Sequence, residues 1–399
     1  GYLAEFNGDF LAFVKASTSK TKWGLARTDA FGMIFNRVSA IDMKFPPNNQ
    51  PPDAPVSYPH LWTSWRFDAV QWNAAVPNGS TLKNLGRNVG EVLGVFGKAE
   101  LKRPTVFHPY YTSTVRTKNL LAMENQLWSL QAPKWPELMF GVPNSDQVKA
   151  GQQVYEKNCQ GCHQQVPGGS GIINVVRIPL KEIGTDPVMA TNALSKRWSV
   201  QLTGTAMPPL FGTKLKQEDL GVSLLANAVV GSLIGSVVAP DADQGLPKLW
   251  KKKTGGAWKA TASGNYEDTE VTDETASDEQ VTTMHADLKA YQEEVQAKQA
   301  SADDLLVYKA RPLDGIWATG PFLHNGSVPS LYALLNSKAR PAKFKVGTQA
   351  FDPTVVGFKD EGAFEYDTTQ PGNGNGGHTY GDSLSDKQRW DLIEYLKTL

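Results

Sequence analysis

The sequence predicts a mostly α-helical fold with long, loop-rich insertions, and three observations support this prediction. A helical segment, Asp146 to Asn158, leads directly into the first cysteine of the chain. A second segment, Leu384 to Leu399, starts with Ser385-Asp386 as a cap and carries an apolar stripe of helical period at Trp390, Ile393, Leu396 and Leu399. The 36 glycines and 25 prolines indicate that much of the chain between these helices is loop.

The first of these helices has a face suited to close packing. Asn144 or Ser145 can cap it, because both side chains accept hydrogen bonds from the free N–H groups of a first turn. Val148, Gly151 and Tyr155 fall on one side of the segment. Because Gly151 has no side chain, we expect a second helix to approach closely there, and the C-terminal helix is the candidate.

The stretch Cys159-Gln160-Gly161-Cys162-His163 follows this helix and contains the only two cysteines of the chain. Two thiols and an imidazole at this spacing are what covalent attachment of a c-type haem requires. The thiols add across the porphyrin vinyl groups, and the imidazole of His163 then ligates the iron as proximal ligand. A disulfide or half of a zinc site is the alternative, but the sequence offers no second Cys/His pair at ligand spacing. The motif therefore predicts one covalent haem c.

Length and charge set broad limits on the protein. At 399 residues the chain is too long for one ordinary core, and we expect a region at 1–143 followed by a haem domain at 144–399. An acid-rich surface excursion is expected at about 248–302. The 40 basic and 40 acidic residues cancel, so nothing argues for a nucleic-acid partner or an anionic membrane surface.

The compartment follows from the cofactor. Haem c is assembled outside the cytoplasm in bacteria, so we expect a periplasmic or secreted protein. The chain begins at Gly1 without a basic-apolar signal segment, so we expect a mature or trimmed form.

Two further segments predict helices. Asp186 to Leu202 has a helical pattern, and Leu220 to Ala239 is a stretch of twenty residues without a charge. The uncharged stretch is long enough to be tested as a membrane span. Its asparagine, serines and glycines lower its hydrophobicity, so we favour a helix buried within the protein.

Two polar or aromatic features before the haem motif allow alternative interpretations. Trp72 belongs to an aromatic cluster and either packs beneath a loop or lies between redox centres. Arg87 and Glu91 lie in an otherwise apolar, glycine-punctuated segment. They form either a structural ion pair, which is the favoured alternative, or a site facing a cavity.

The helices flanking the haem motif resemble the cytochrome c domain, whose first and last helices cross beside the haem. The segment Thr319-Gly320-Pro321-Phe322-Leu323-His324-Asn325-Gly326-Ser327-Val328 resembles bacterial di-haem cytochrome c peroxidases and MauG-type enzymes. With Asn373-Gly374-Asn375-Gly376-Gly377-His378, the similarity is greater to a subgroup that contains the di-haem rubber oxygenases.

This resemblance implies specific roles. Trp72, in Gln71-Trp72-Asn73, matches the tryptophan between the two haems, and Glu91 matches the distal acid of the peroxidatic haem. The family also binds calcium between its haems, partly through main-chain carbonyls at positions that match Thr319 and Pro321.

The chain departs from this family in having one attachment motif where a di-haem enzyme has two. The chain is then the C-terminal portion of a longer protein, or the first haem is lost, or a partner supplies it. This leaves two hypotheses. In the first, the haem feeds electrons to a second haem where peroxide or dioxygen reacts. In the second, the protein is a mono-haem electron-transfer subunit that serves a redox partner.

The sixth ligand of the iron decides between chemistry and electron transfer at this haem. We favour His378, because the glycines at 372–377 let the backbone approach a flat macrocycle and the C-terminal helix anchors the loop. The resemblance also points to a bis-histidine haem, with His324 in the second shell. Met207, which precedes two prolines, is the alternative ligand. With both axial positions filled by protein, we expect electron transfer.

Overall fold

The computed structural model describes residues 18–105, 110–206, 214–238 and 302–399, together with residues 7, 8, 10, 11, 14, 15, 287, 290 and 291. Helices account for 39% of the structure and strands for 14%. The mostly α-helical prediction therefore holds only in part, since short strand pairs and loops make up much of the remainder. Met207 and most of the predicted excursion at 248–302 lie outside the described residues.

The α-helices of the described residues vary from one turn to five. They lie at Ala30–Asn36 (α1), Thr81–Val95 (α2), Thr117–Leu127 (α3), Glu137–Phe140 (α4), Ser145–Asn158 (α5), Leu180–Ile183 (α6), Val188–Asn192 (α7), Gly221–Val238 (α8), Leu331–Leu334 (α9) and Asp386–Leu396 (α10). A π-helical segment, Arg37–Asp42, continues α1 directly.

The strands are short and form antiparallel pairs. They lie at Arg27–Thr28 (β1), Val56–Ser57 (β2), Ala69–Val70 (β3), Val76–Pro77 (β4), Val176–Pro179 (β5), Lys196–Trp198 (β6), Glu218–Leu220 (β7), Val307–Ala310 (β8), Lys343–Val346 (β9), Phe351–Asp352 (β10), Gly357–Phe358 (β11) and Phe364–Asp367 (β12). The pairs are β1–β2, β3–β4, β5–β8, β6–β7, β9–β12 and β10–β11.

Helices α5 and α10 cross in close contact, as the sequence predicts. Asn144 caps α5 by accepting from the N–H groups of Asp146 and Gln147, and Ser385 caps α10 in a capping box with Gln388. A Cβ atom at Gly151 would lie 1.9 Å from the carbonyl oxygen of Asp391 on α10. Any other residue at 151 would therefore push the two helices apart.

Helix α8 is the uncharged stretch, and it is buried within the protein. Leu224, Ala228 and Leu233 are almost fully buried in one core cluster with Leu85 and Val89 of α2. Elsewhere on α8, the side-chain oxygen of Asn227 accepts a 2.6 Å hydrogen bond from the Tyr111 hydroxyl. No helix in the described part of the chain is both long and apolar enough to cross a membrane. The favoured interpretation of this stretch is confirmed.

The predicted helix from Asp186 to Leu202 is wrong over most of its length. Helix α7 ends at Asn192, and the chain then extends into β6, which pairs with β7. The pairing buries Arg197, and the amide of Asn48 bonds the main chain of Trp198. These long-range contacts outweigh the local helical pattern.

Two core clusters meet around the haem motif. The cluster that contains Tyr155, Leu331 and Leu392 packs against Cys159. The cluster that contains Ile183 and Tyr308 packs against Cys162. The predicted regions 1–143 and 144–399 also share a core, because α2 packs on α8, and the boundary at residue 143 stays a prediction.

Candidate functional site

The haem motif forms a tight turn directly after the C-terminal end of α5. The N–H of Cys159 donates to the carbonyl of Tyr155, and the N–H of His163 donates to the carbonyl of Cys159 at 2.8 Å. The Tyr155 hydroxyl donates to the His163 carbonyl and closes the turn. Burial raises the pKa of the Cys159 thiol to about 11, so the thiol is protonated at neutral pH. The two cysteines are free rather than joined in a disulfide.

The imidazole of His163 is fixed by one hydrogen bond. Its Nδ1 lies 2.7 Å from the carbonyl oxygen of Arg311. A carbonyl can only accept, so Nδ1 carries the proton and Nε2 keeps its lone pair for a metal. Burial lowers the pKa of His163, and the ring is neutral at pH 7. This is the arrangement that orients a histidine ligand and sets its tautomer.

His378 is held opposite His163 by the loop at 372–377. The main-chain N–H of His378 donates to the carbonyl of Ile183 at 2.8 Å. The Arg340 guanidinium donates to the carbonyls of Asn375, Gly377 and His378. Burial, followed by the nearby His163 and Arg340, lowers the pKa of His378 to about 4. Its Nδ1 finds no hydrogen-bond partner among the described residues.

Gly377 brings this loop into close contact with protein backbone, and the expected approach of the glycines to a macrocycle stays a prediction. A Cβ at Gly377, whose φ is +69°, would lie 2.2 Å from the carbonyl carbon of Gly184. The loop therefore packs backbone against backbone on residues 183–185, and this contact requires glycine at 377.

The rings of His163 and His378 have centroids 6.1 Å apart, with 60° between their planes. A metal–imidazole bond is about 2 Å long, so two imidazoles on opposite sides of one ion have centroids about 6 Å apart. The angle between the planes is compatible with this, because each ring can rotate about its bond to the metal. The described residues fit a six-coordinate iron between these two histidines.

The space around the two rings is a cavity of about 390 Å³. Its walls are largely apolar, and Cys159 lies beside the rings. The apolar lining includes Phe322, Leu323, Leu331, Leu335, Leu392 and Leu396. An apolar cleft with a few convergent polar groups suits a flat cofactor. The cysteines, the histidines and the cavity together fit a covalently attached haem.

Trp72 and His324 also line this cavity. The indole Nε1 of Trp72 donates to the carbonyl of Ser57 at 3.0 Å. The ring of His324 stacks on Tyr308 with centroids 4.1 Å apart and presents an edge to Trp72 at 6.5 Å. Burial lowers the pKa of His324 to about 3, so it is a neutral ring in the cavity wall.

Glu91 lies on α2 and lines a second, smaller cavity of about 60 Å³. The Glu91 side chain is exposed to solvent, although protein atoms surround its carboxylate. The surrounding protein raises the pKa of Glu91. Arg87 lowers this pKa and Glu124 raises it. Gln71 lines the second cavity and Trp72 lines the haem cavity, so this segment separates the two.

The predicted ion pair of Arg87 with Glu91 is wrong. Arg87 pairs with Glu124 of α3, and the pair is buried. Asn84 and Asn88 donate to the same carboxylate at 2.9 Å and 3.0 Å. Glu91 forms no ion pair with any residue that the structure describes. The partner was missed because Glu124 lies on a different helix, 37 residues away in sequence.

Three further cavity residues escaped the sequence analysis: His60, Lys309 and Arg311. Lys309 lies in β8, and Arg311 follows that strand directly. Tyr308 and Ala310 belong to a core cluster but line the cavity as well, so alternation along the strand does not by itself identify Lys309 and Arg311 as cavity residues. His60 carried no signal either, since it lies in a proline-rich stretch without periodicity.

Thr319 and Pro321 line the haem cavity as well. Among the described residues, no cluster of three or more His, Cys, Asp or Glu side chains could hold a metal ion. That finding does not concern main-chain carbonyls, so calcium binding at 319 and 321 stays a prediction.

Two family descriptions match parts of the chain. Residues 146–222 match "Cytochrome C oxidase, cbb3-type, subunit III", and residues 307–345 match "RoxA-like, cytochrome c-like". The chain therefore contains cytochrome c-like domains, and such domains imply covalently bound haem c. They suggest electron transfer and are typically extracytoplasmic in bacteria.

Two proteins of Sinorhizobium fredii (strain NBRC 101917 / NGR234) are similar to this chain. "Uncharacterized protein y4iJ" is 32% identical over 428 aligned residues, covering 96% of this chain and 61% of the relative. "Uncharacterized protein y4iM" is 36% identical over 116 residues, covering 23% of this chain and 27% of that relative. The chain thus spans less than two thirds of either relative.

Proposed function

We propose that this cytochrome c-type chain is the electron-transferring part of a periplasmic haem oxidoreductase of the di-haem peroxidase type. Cys159 and Cys162 would attach the porphyrin through thioether bonds, and His163 and His378 would bind its iron. The bound haem supplies one-electron redox chemistry at its iron. The partner in this exchange is a second haem centre, on another segment or another protein, at which peroxide or dioxygen reacts.

The separation of 6.1 Å between the rings of His163 and His378 is the observation that supports this proposal most directly. Both rings are neutral at pH 7, as ligands must be. An iron with two imidazole ligands has no open position for peroxide, and this favours electron transfer at this haem over catalysis.

Substitution of the axial candidates in the holoprotein tests the assignment. His378→Ala is expected to convert a low-spin haem spectrum into a high-spin one that binds external ligands such as cyanide or imidazole. His324→Ala is the matched control and is expected to keep the low-spin spectrum. A low-spin spectrum in His378→Ala, with its loss in Met207→Ala, would show a His-Met haem instead.

A mono-haem electron-transfer subunit without catalysis of its own is the second candidate. The size of the second cavity, as the described residues line it, favours this candidate. A ligand pocket of drug size needs roughly 300 Å³ or more, so 60 Å³ cannot hold a porphyrin. A pyridine haemochrome assay with iron analysis separates the candidates, since one haem per chain without peroxide turnover supports the subunit.

Calcium is part of the proposed site only through main-chain oxygens. Carbonyl groups suit a hard cation, and Thr319 and Pro321 both line the haem cavity. Metal analysis should then still detect calcium in the protein after exhaustive dialysis. A protein free of calcium that keeps its haem spectrum would remove the ion from the proposal.

A further inference from the structure

One end of the haem cavity is strongly cationic. Lys309, Arg311 and His60 all line it, beside Trp72. Lys309 and Arg311 each lower the pKa of His60, with burial as the largest cause. Arg311 in turn lowers the pKa of Lys309, again after burial. The three side chains therefore line one cavity and affect one another electrostatically.

The two cations have no carboxylate partner among the described residues. The Lys309 ammonium donates only to the carbonyl of Ala69, at 3.3 Å. Asp68 is the carboxylate that raises the pKa of Lys309, and it already pairs with Arg177 at 2.7 Å. Lys309 and Arg311 are partly buried, and two like charges without a counter-ion are costly there, because protein replaces part of the water that would stabilise them.

Arg311 also lacks a carboxylate partner among the described residues. Its guanidinium lies 4.7 Å over the ring of Trp72, and no described carboxylate forms an ion pair with it. Asp314 influences it electrostatically without forming an ion pair: one of its carboxylate oxygens accepts from the Thr63 hydroxyl at 2.6 Å, and the other is buried without a hydrogen-bond partner among the described residues. The planar guanidinium fork therefore keeps free donors in the cavity.

His60 adds two polar atoms without partners. Both ring nitrogens are buried and form no hydrogen bond with the described residues. The ring stacks flat on Trp62, with centroids 4.3 Å apart and 6° between the planes. A neutral imidazole presents one N–H donor, so His60 can complete the set of donors around an anion.

We propose that Lys309, Arg311 and His60 hold the two propionates of the haem, so that the propionate edge of the macrocycle faces Trp72. Haem carries two carboxylates, which is the charge that this end of the cavity lacks. Guanidinium groups bind carboxylates through two parallel hydrogen bonds. Arg311 then acts as a positioning residue that contacts the propionate edge, Trp72 and, through its carbonyl, His163. This inference rests on the proposed haem site.

The test uses the holoprotein with its covalent haem. Arg311→Gln and Lys309→Met each remove one positive charge while keeping much of the side-chain volume. Resonance Raman bands of propionate bending are expected to shift in both variants. The haem reduction potential is expected to fall in both, because a nearby cation disfavours the more positive ferric state. The exposed Arg116 and Lys102 give the matched controls, Arg116→Gln and Lys102→Met, in which neither quantity should move.

Unchanged propionate bands and unchanged potentials in both variants would overturn the proposal. If Arg311→Gln yields no holoprotein, Arg311→Lys decides, since it keeps the charge but removes the planar fork. The propionate bands must then still move while the potential stays close to that of the wild type. A wrong axial assignment would appear in the spin state of His378→Ala and would leave the Raman shifts in place, so the two failures are distinguishable.

Discussion

The guanidinium of Arg311 lies 4.7 Å over the ring of Trp72, and the main-chain oxygen of Arg311 accepts the 2.7 Å hydrogen bond from His163. One residue thus contacts both the indole and the proposed proximal ligand. A cation over the ring stabilises the neutral indole relative to an oxidised, positively charged one. The indole N–H donates to the carbonyl of Ser57, which is not a base. We therefore expect Trp72 to mediate electron transfer without becoming a charge carrier itself.

Trp72→Phe tests this role. Most of the aromatic volume remains and one hydrogen bond is lost, so the unfolding free energy should fall by no more than about 1.5 kcal/mol. Electron transfer between the haem and a second redox centre should be slower, as measured by stopped-flow mixing with that centre. Trp65→Phe is the matched control, because Trp65 packs against Trp128 in a tilted arrangement and does not line the cavity. An equal rate in Trp72→Phe and the wild type would restore the packing interpretation.

Gly151→Ala tests the helix crossing that supports the haem motif. The added methyl group would meet the Asp391 carbonyl at 1.9 Å, so α5 and α10 must separate. Overpacking of this kind costs about 1–3 kcal/mol of unfolding free energy, measurable by chemical denaturation. Gly168→Ala is the control, since a Cβ there meets no atom within 4 Å. Equal stability of the two variants would contradict the close crossing.

The parts of this fold that the sequence predicts are those coded by local signals. The caps at Asn144 and Ser385, the small Gly151 and the haem motif are each readable within one turn of helix. The structure also brings together His163 and His378, which lie far apart in sequence; the glycine-rich loop before His378 and a family resemblance, rather than periodicity, suggest that pair.

The parts that the sequence does not predict depend on partners distant along the chain. Residues 193–199 are not helical, because β6 pairs with β7 and Asn48 bonds Trp198. The partner of Arg87 is Glu124, which no spacing rule connects with it. The cationic end of the haem cavity requires β8 to lie beside the loop that carries His60, and neither segment contains that information alone.

Asp29 is expected to make stability depend on pH. Its carboxylate is almost completely buried and accepts hydrogen bonds from Gly32, Asp53 and Ala54. Burial is the largest effect and raises its pKa to about 6. Between the unfolded value of about 4 and this value, the folded protein binds the proton more tightly. The contribution to stability is therefore complete below about pH 4 and lost as the pH rises to about 6, amounting to about 3 kcal/mol at most.

Denaturation of the wild type and of Asp29→Asn at several pH values between 4 and 7 measures this contribution. The unfolding free energy of the wild type minus that of Asp29→Asn should fall as the pH rises through this range, because only the wild type loses stability through the titration of Asp29. Above about pH 6 it should stay constant. Parallel curves over the whole range would show that Asp29 titrates at its ordinary pKa in the folded protein.

Substitution of the two acids near Arg87 should change the unfolding free energy to very different extents. Glu124→Gln leaves the buried Arg87 without its counter-ion, and losing one partner of a buried pair costs about 3–5 kcal/mol of unfolding free energy. Glu91→Gln removes a solvent-accessible carboxylate that pairs with no described residue, so stability should change by no more than about 0.5 kcal/mol. Urea denaturation of the two holoproteins measures both.

Glu91→Gln also tests the di-haem hypothesis. If that hypothesis is right, this variant should lower peroxide turnover of the assembled oxidoreductase. Unchanged turnover would leave Glu91 without a catalytic role and favour the mono-haem subunit.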